Sequence, residues 1–406
     1  MSDSSIAAIS QHASASERLY FLDWVRIIAF FLLIVYHVGM YYVGEDWHVN
    51  SQHASDAIKP LMLLSSPWRL GLLFLVSGVA SSFMLEKLSA IKFAWLRSSR
   101  LFPPLLFGML VIVPPQTYFE VIEKLAYPGS YLDFMKLYLS GYHGFCKDGC
   151  LILPTWNHLW FVAYLWVYSL ALGLFIALKP SWFSALRNSL IKHLHGWRII
   201  VLPIAYLALI RLTLLSYFPT THALVDDWFN HANYLSLFLF GALIAPSDKF
   251  WQQVAQLRWP SLVIALAAWI FLISYYAYFN DVRPVPDWFR LFQRGIWVSL
   301  EWTAILAACG FARIHLQKDH AARRYLTLAV FPVYIFHQTV IVMLAHSLKP
   351  LNLPAIPEAI FLIIATVLLS FTGFEIVRRS AILRPLFGLA MQEKKPSILH
   401  MKLMPK

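Results

Sequence analysis

The sequence predicts an all-α, polytopic membrane protein with about ten spanning helices and both termini on the cytoplasmic side. Three observations carry that prediction. Hydrophobic residues make up 59% of the 406 residues and charged ones only 13%, about half the charged share that covers a soluble globular surface. The apolar residues come in blocks of about 17–25, the length that crosses a hydrocarbon core about 30 Å thick. The basic residues fall in alternate loops, as the positive-inside rule describes. Mean hydropathy is +0.61, and 16 Trp with 19 Tyr suit aromatic belts at the two interfaces. A net charge of +12 raises nucleic-acid binding in a soluble protein. Here no basic stripe or nucleic-acid motif accompanies it, so the expected partner is the lipid bilayer and not nucleic acid.

In chain order, residues 1–17 are polar and rich in Ser and Ala, which predicts a disordered cytoplasmic N-terminus. Spans follow near 20–42, 68–86, 101–119, 157–178, 199–218, 231–246, 259–279, 289–311, 325–346 and 357–377, within one membrane domain over 18–380. The first block is too long for a signal-peptide core and has no small-x-small cleavage site, so it reads as retained. One set of loops carries Arg18, then Lys87 to Arg100, Lys179 to Arg198, Lys249 with Arg258, and Arg313 to Arg324. The same side ends in a basic cytoplasmic tail over 381–406. The opposite loops hold fewer cations over longer segments, so both termini are assigned inside. The exterior loop 120–156 contains Cys146 and Cys150. A disulfide or two unpaired thiols are both open there, while a metal site with His143 matches no common ligand spacing. Cys309 falls in a span, facing lipid or core. No internal repeat and no metal-ligand cluster stand out.

Ionisable groups inside spans are costly and mark paired or functional positions. Arg26 and His37 in the first span are eleven residues apart, so they share a helix face about 16 Å apart along the axis. Asp23, three residues before Arg26, is its neighbour on the helix surface. Two readings stand for this face. In one, Asp23 pairs with Arg26 at the interface and His37 hydrogen-bonds a neighbouring helix. In the other, His37 is a general base or proton carrier on a cavity, because imidazole titrates near working pH. Arg69, His158, Arg211, Glu301 and His337 fall in other spans, and together they point to a polar cavity in the bundle. Arg97 and Arg100, three apart at the entry to the third span, read either as topology anchors or as paired forks for phosphate oxygens.

The residues then resemble a known family. Arg26-x10-His37, Arg97-x2-Arg100, the Phe74 to Gly78 run, the His158 to Phe161 run and the Tyr334 to His337 run are similar to the acyltransferase 3 family of integral membrane acyltransferases. The likeness covers about residues 19–390. Tyr20 to Asp23, Trp47 to Ser51 and Glu375 to Phe387 point to its glucan-modifying branch. The resemblance implies a multi-pass protein of the bacterial inner membrane, with no permanently bound cofactor. It implies transfer of an acyl group from cytoplasmic acyl-coenzyme A, succinyl-coenzyme A or acetyl-coenzyme A, to hydroxyls of a periplasmic glucan or polysaccharide. Glucan-synthesis proteins are then expected partners. His37 is the candidate base, with Arg26 and Asp23 beside it in the catalytic set and Arg97 and Arg100 on the coenzyme phosphates. Arg69, His158, Arg211, Glu301 and His337 are candidate cavity lining, Arg69 or Arg211 offering a cation to a succinyl carboxylate. The competing reading is a proton-coupled secondary transporter using His37, Glu301 and His337 as a relay; the absence of inverted repeats speaks against it.

Overall fold

The computed structural model describes residues 19–147, 149–279 and 282–391. The predicted disordered segment 1–17 and the end of the tail from 392 lie outside them. Among the described residues the regular elements are helical. They are α1 (Tyr20–Tyr42), α2 (Lys59–Ser65), α3 (Arg69–Leu85), α4 (Ala90–Phe107), α5 (Pro114–Leu125), α6 (Tyr131–Leu139), α7 (Trp160–Leu178) and α8 (Pro180–His193). Then come α9 (Arg198–Leu214), α10 (Trp228–Ile244), α11 (Asp248–Gln256), α12 (Arg258–Tyr278), α13 (Asp287–His315), α14 (Ala321–Leu348), α15 (Ala355–Arg379) and α16 (Leu383–Leu386).

Helix α1 is the axis of the bundle. It packs against α3, α13, α14 and α15 and buries Val25, Ala29, Leu33 and Val38 among others. Lipid tails are as apolar as leucine, so such helices are held by close backbone approach and interhelical hydrogen bonds more than by water exclusion. Helices α3 and α10 show the first device. A Cβ on Gly78 would lie 1.9 Å from the Phe238 carbonyl oxygen, and one on Gly241 2.1 Å from the Leu75 carbonyl oxygen. Only glycine lets these two backbones touch.

Among the described residues eight helical runs are long and apolar enough to cross a membrane, and up to nine if the bent pair α8–α9 counts as one span. The difference from ten predicted spans lies in two places. Predicted spans 199–218 and 231–246 fold as α9 and α10, with 17 residues each, about 25 Å of rise against a core of about 30 Å. Helix α9 meets α8 at a bend of 120°.

Two other expectations change. The third span starts earlier than 101, because Ser89 caps α4 by accepting from Lys92 N. Arg97 and Arg100 therefore sit within a helix, not in the loop before it. Pro103 and Pro104 then withhold two N–H donors, the chain passes through a π-turn at Gly108–Ile112, and Pro114 opens α5. That break turns Gln116 and Thr117 into the interior. The basic tail assigned from 381 is part of the bundle up to 391. The chain reverses after Ser380, Gly388 adopts φ +72°, and buried Phe387 stacks on Phe336 at 4.6 Å between ring centroids. Cys146 and Cys150 form a disulfide beside a small cluster of Val121, Phe134, Tyr138, Phe145 and Leu153. Cys309 faces the core.

Candidate active site

His37 lies about three-quarters of the way along α1. Its Nδ1 is 2.8 Å from Nε2 of His337 on α14. The second nitrogen of His337, Nδ1, is 2.5 Å from the carbonyl oxygen of Tyr334. A carbonyl only accepts, so His337 Nδ1 carries the proton and its Nε2 accepts when the ring is neutral. His37 Nδ1 must then donate, which leaves the lone pair on His37 Nε2. A carbonyl–imidazole–imidazole chain thus fixes the tautomer of a candidate base, in the way an outer partner orients a metal-ligating or catalytic histidine.

His158, at the turn before α7, packs edge-on to His337 with centroids 5.2 Å apart. Its Nε2 donates to the Ile335 carbonyl at 3.2 Å, which leaves Nδ1 to accept from Gln116 Nε2 at 3.4 Å. The Tyr334 hydroxyl donates to the His158 carbonyl. Gln338 Nε2 bridges Gln116 Oε1 at 3.1 Å and His48 Nε2 at 3.0 Å, and His48 Nδ1 meets Glu120 Oε2 at 2.5 Å. The α4–α5 break and α14 together therefore hold the histidine group in place through an amide lattice.

His37 and His158 open on a cavity of about 400 Å³ between α1, α3, α7, α9, α10 and α13. Arg69, Arg211 and Glu301 line it as well. The Arg69 guanidinium lies over the Tyr36 ring at 4.0 Å, and Arg211 lies over Trp297 at 4.7 Å. Glu301 Oε1 accepts from Asn233 Nδ2 at 2.9 Å. His337 stands behind His37 and reaches the cavity through it.

The remaining predicted residues gather elsewhere, at the arginine-rich end. Asp23 pairs with Arg323, and with Arg26 at 3.6 Å; Arg323 also holds Asp319 at 2.7 Å. Arg97 Nε donates to Ser169 Oγ at 3.0 Å, its Nη2 is buried with no acceptor among the described residues, and its charge feels those of Arg100 and Arg26. Arg26 and His37 share a face, yet a rise of 1.5 Å per residue keeps them about 16 Å apart. The structure therefore brings the ten sequence candidates into two groups. His37, His337, His158, Arg69, Arg211 and Glu301 form one; Asp23, Arg26, Arg97 and Arg100 form the other.

Sequence reasoning missed the loop that covers the cavity. His222 lines the cavity and stacks on Trp160 at 4.2 Å between centroids. His222, Leu224 and Asp226 have φ of 57°, 60° and 65°, conformations that cost a non-glycine residue about 1–3 kcal/mol each. Asp227 holds the loop in that shape. Its buried carboxylate accepts from the Tyr164 hydroxyl, from Asn230 Nδ2 at 2.9 Å, and from the backbone N–H of Thr221 at 3.1 Å and His222 at 3.0 Å. Burial pushes the Asp227 carboxyl up, but the Tyr164 and Asn230 hydrogen bonds outweigh it and hold it below the usual range. Burial pushes the His222 imidazole down, with Asp227 partly opposing. Charge in a loop carries no membrane penalty, so the signal used for the spans was silent here. An aspartate just before the apolar block at 228 was the available hint.

A family model described as an acyltransferase domain matches residues 19–375. Among curated proteins the chain is similar to Glucans biosynthesis protein C of Escherichia coli O139:H28, 26% identical over 276 residues, 64% of this chain and 66% of the relative. The proteins of the same name from Salmonella paratyphi B and Salmonella gallinarum are 28% identical over 276 residues, 64% of this chain and 65% of each relative. The chain thus spans just under two thirds of the length of these relatives. No solved structure gives a significant match.

Proposed function

The chain belongs to the acyltransferase domain family, and from that premise we propose that it is a multi-pass membrane O-acyltransferase of the bacterial inner membrane. The donor is a cytoplasmic acyl-coenzyme A, with succinyl the leading acyl group, and the acceptor is a hydroxyl of a periplasmic glucan or related polysaccharide. The observation that carries this reading is His37, which lines a polar cavity and whose tautomer leaves the lone pair on Nε2. A transporter needs polar groups that titrate, whereas it does not need one imidazole held as a base by a second.

The acceptor hydroxyl donates its proton to His37 Nε2 as its oxygen attacks the thioester carbonyl carbon. A positioned base of this kind contributes about 10²–10⁴-fold. The imidazolium keeps its Nδ1–H on His337. The tetrahedral intermediate collapses with cleavage of the C–S bond, and the thiolate takes the proton from His37. The products are an ester and the free thiol, with His37 neutral again. Arg97 and Arg100 hold coenzyme phosphates at the other end, which the positive-inside rule makes cytoplasmic; their paired guanidinium forks suit phosphate oxygens. Arg26, held by Asp23, lies between that mouth and His37 on one helix face.

The test uses the full chain in sealed vesicles, with labelled succinyl-coenzyme A on one side and a glucan on the other. Wild type is expected to form glucan ester and free coenzyme A in equal amounts, and His37→Ala to lose the transfer by at least about 100-fold. Solute movement without ester formation in wild type would refute the enzyme reading.

A further inference from the structure

A carboxylate at membrane depth is costly unless donors meet its oxygens. Glu301, in the middle of α13, is 2% exposed and has no ion-pair partner among the described residues. Asn233 of α10 donates to its Oε1 at 2.9 Å. Gly71 of α3 leaves room for that bond, since a Cβ there would lie 3.0 Å from the same oxygen. Oε2 has no hydrogen-bond partner among the described residues and is not one of the buried atoms sealed from solvent, so it opens on the cavity that Glu301 lines. One oxygen is held by the protein and the other is presented to whatever enters. The lining narrows what that is. Arg69 and Arg211 line the same cavity and disfavour a cation, while a second carboxylate at Oε2 would be repelled by the first. A neutral hydroxyl remains, because it donates to Oε2 without bringing charge. Ser66, Pro67, Thr220 and His222 line the cavity too. They belong to the connections before α3 and after α9, on the side that the positive-inside rule assigns to the exterior, so hydroxyls reach Glu301 from the acceptor side.

We propose that Glu301, oriented by Asn233, is an acceptor-recognition residue: its Oε2 accepts from a sugar hydroxyl other than the one that His37 deprotonates. The inference rests on the acyl-transfer reading and adds the group that holds the acceptor. Gly71, against which Glu301 packs, follows Arg69 by two residues, and the Arg69 guanidinium lies over Tyr36, next to His37. The carboxylate and the base therefore stand close in depth, and one sugar unit can meet both. An alcohol with no second hydroxyl would leave Oε2 unpaired, and a site built to hydrogen-bond a hydroxyl discriminates strongly against an analogue that lacks it.

The experiment varies donor and glucan separately in the vesicle assay for wild type, Glu301→Gln and Glu301→Asp. Glu301→Gln keeps the shape and the oxygen that Asn233 holds but replaces the charged acceptor. It is expected to raise KM for the glucan by about 10-fold or more, the size of losing a hydrogen bond to a charged group, while KM for the acyl-coenzyme A moves far less. Glu301→Asp keeps the carboxylate but draws it back, and is expected to fall between. An unchanged glucan KM would overturn the proposal. So would an equal rise in donor KM, or a loss confined to kcat, because either would make Glu301 a general electrostatic residue of the cavity. A second readout does not depend on transfer: a labelled glucose oligosaccharide is expected to bind purified wild type at least about 10-fold more tightly than Glu301→Gln. Equal binding to the two proteins overturns the proposal. Melting temperatures without ligand show that each variant is folded; if Glu301→Gln is not, Glu301→Asp carries the same comparison. If wild type forms no ester yet binds the oligosaccharide through Glu301, the enzyme reading fails while the hydroxyl site stands.

Discussion

Replacing His337 by alanine removes the acceptor for His37 Nδ1–H at 2.8 Å and lets the His37 ring turn. In the transition state His37 becomes an imidazolium, so the lost bond is one to a charged group, worth about 1.5–3 kcal/mol. That is roughly 10- to 150-fold in kcat, less than the about 10²–10⁴-fold expected for losing the base itself. His337→Gln, whose amide oxygen can accept from His37, is expected to recover part of the loss. Because His337 acts through His37, the double variant should be no slower than His37→Ala alone. The assay is labelled acyl transfer in vesicles at saturating donor, with melting temperatures beside it because His337 is fully buried. A double variant whose losses multiply would show His337 acting on its own and refute its role through His37.

Arg97→Ala, which removes the guanidinium that donates to Ser169 Oγ, should raise KM for acyl-coenzyme A by about 10-fold or more with a smaller change in kcat; an unchanged KM would remove Arg97 from donor binding. Gly78→Ala forces a methyl to within 1.9 Å of the Phe238 carbonyl oxygen and should cost about 1–3 kcal/mol, read as a lower melting temperature in detergent; an unchanged melting temperature would contradict the close crossing. The His222 imidazole titrates below its usual 6.5 when folded, so the open loop binds a proton more readily than the closed one. Loop stability is therefore full above 6.5 and falls as pH drops below it, while Asp227, held below the usual carboxylate range, stays charged in that window. The amide protection factor over 220–227, corrected for the intrinsic exchange rate at each pH, should fall between about pH 7 and 5.5 in wild type and lose that slope in His222→Phe, which keeps a ring on Trp160; a slope retained in His222→Phe would assign it to another group.

The positions of the ten predicted helices were legible because hydropathy reports the solvent, and a bilayer demands apolar runs whatever the bundle does with them. Boundaries were less legible. Serine caps and proline pairs act locally, so the capping role of Ser89 moved Arg97 and Arg100 into a helix, and the start of the tail was claimed by packing of Leu383, Leu386, Phe387 and Leu389 on the core. The site was legible wherever an ionisable group paid the cost of a span. His37, Arg69, His158, Arg211, Glu301 and His337 all betrayed themselves that way, and five of them line the cavity while the sixth backs the base. Gln116, Gln338 and His222 did not, because amides and loop histidines are ordinary in sequence.

By itself the sequence determined the membrane class, the helical segments and the list of costly polar residues, since each follows from transfer between water and lipid, a property of composition and period. Tertiary structure alone decided which of those residues meet. His37 and His337 are 300 residues apart, and nothing in helical periodicity relates them. Their contact, the carbonyl of Tyr334 behind them and Arg69 on the cavity in front all depend on how α1, α3 and α14 cross. A shared face along α1 was correctly read for Arg26 and His37, yet the rise of the helix separates them, and only packing between helices brings chemistry to one point.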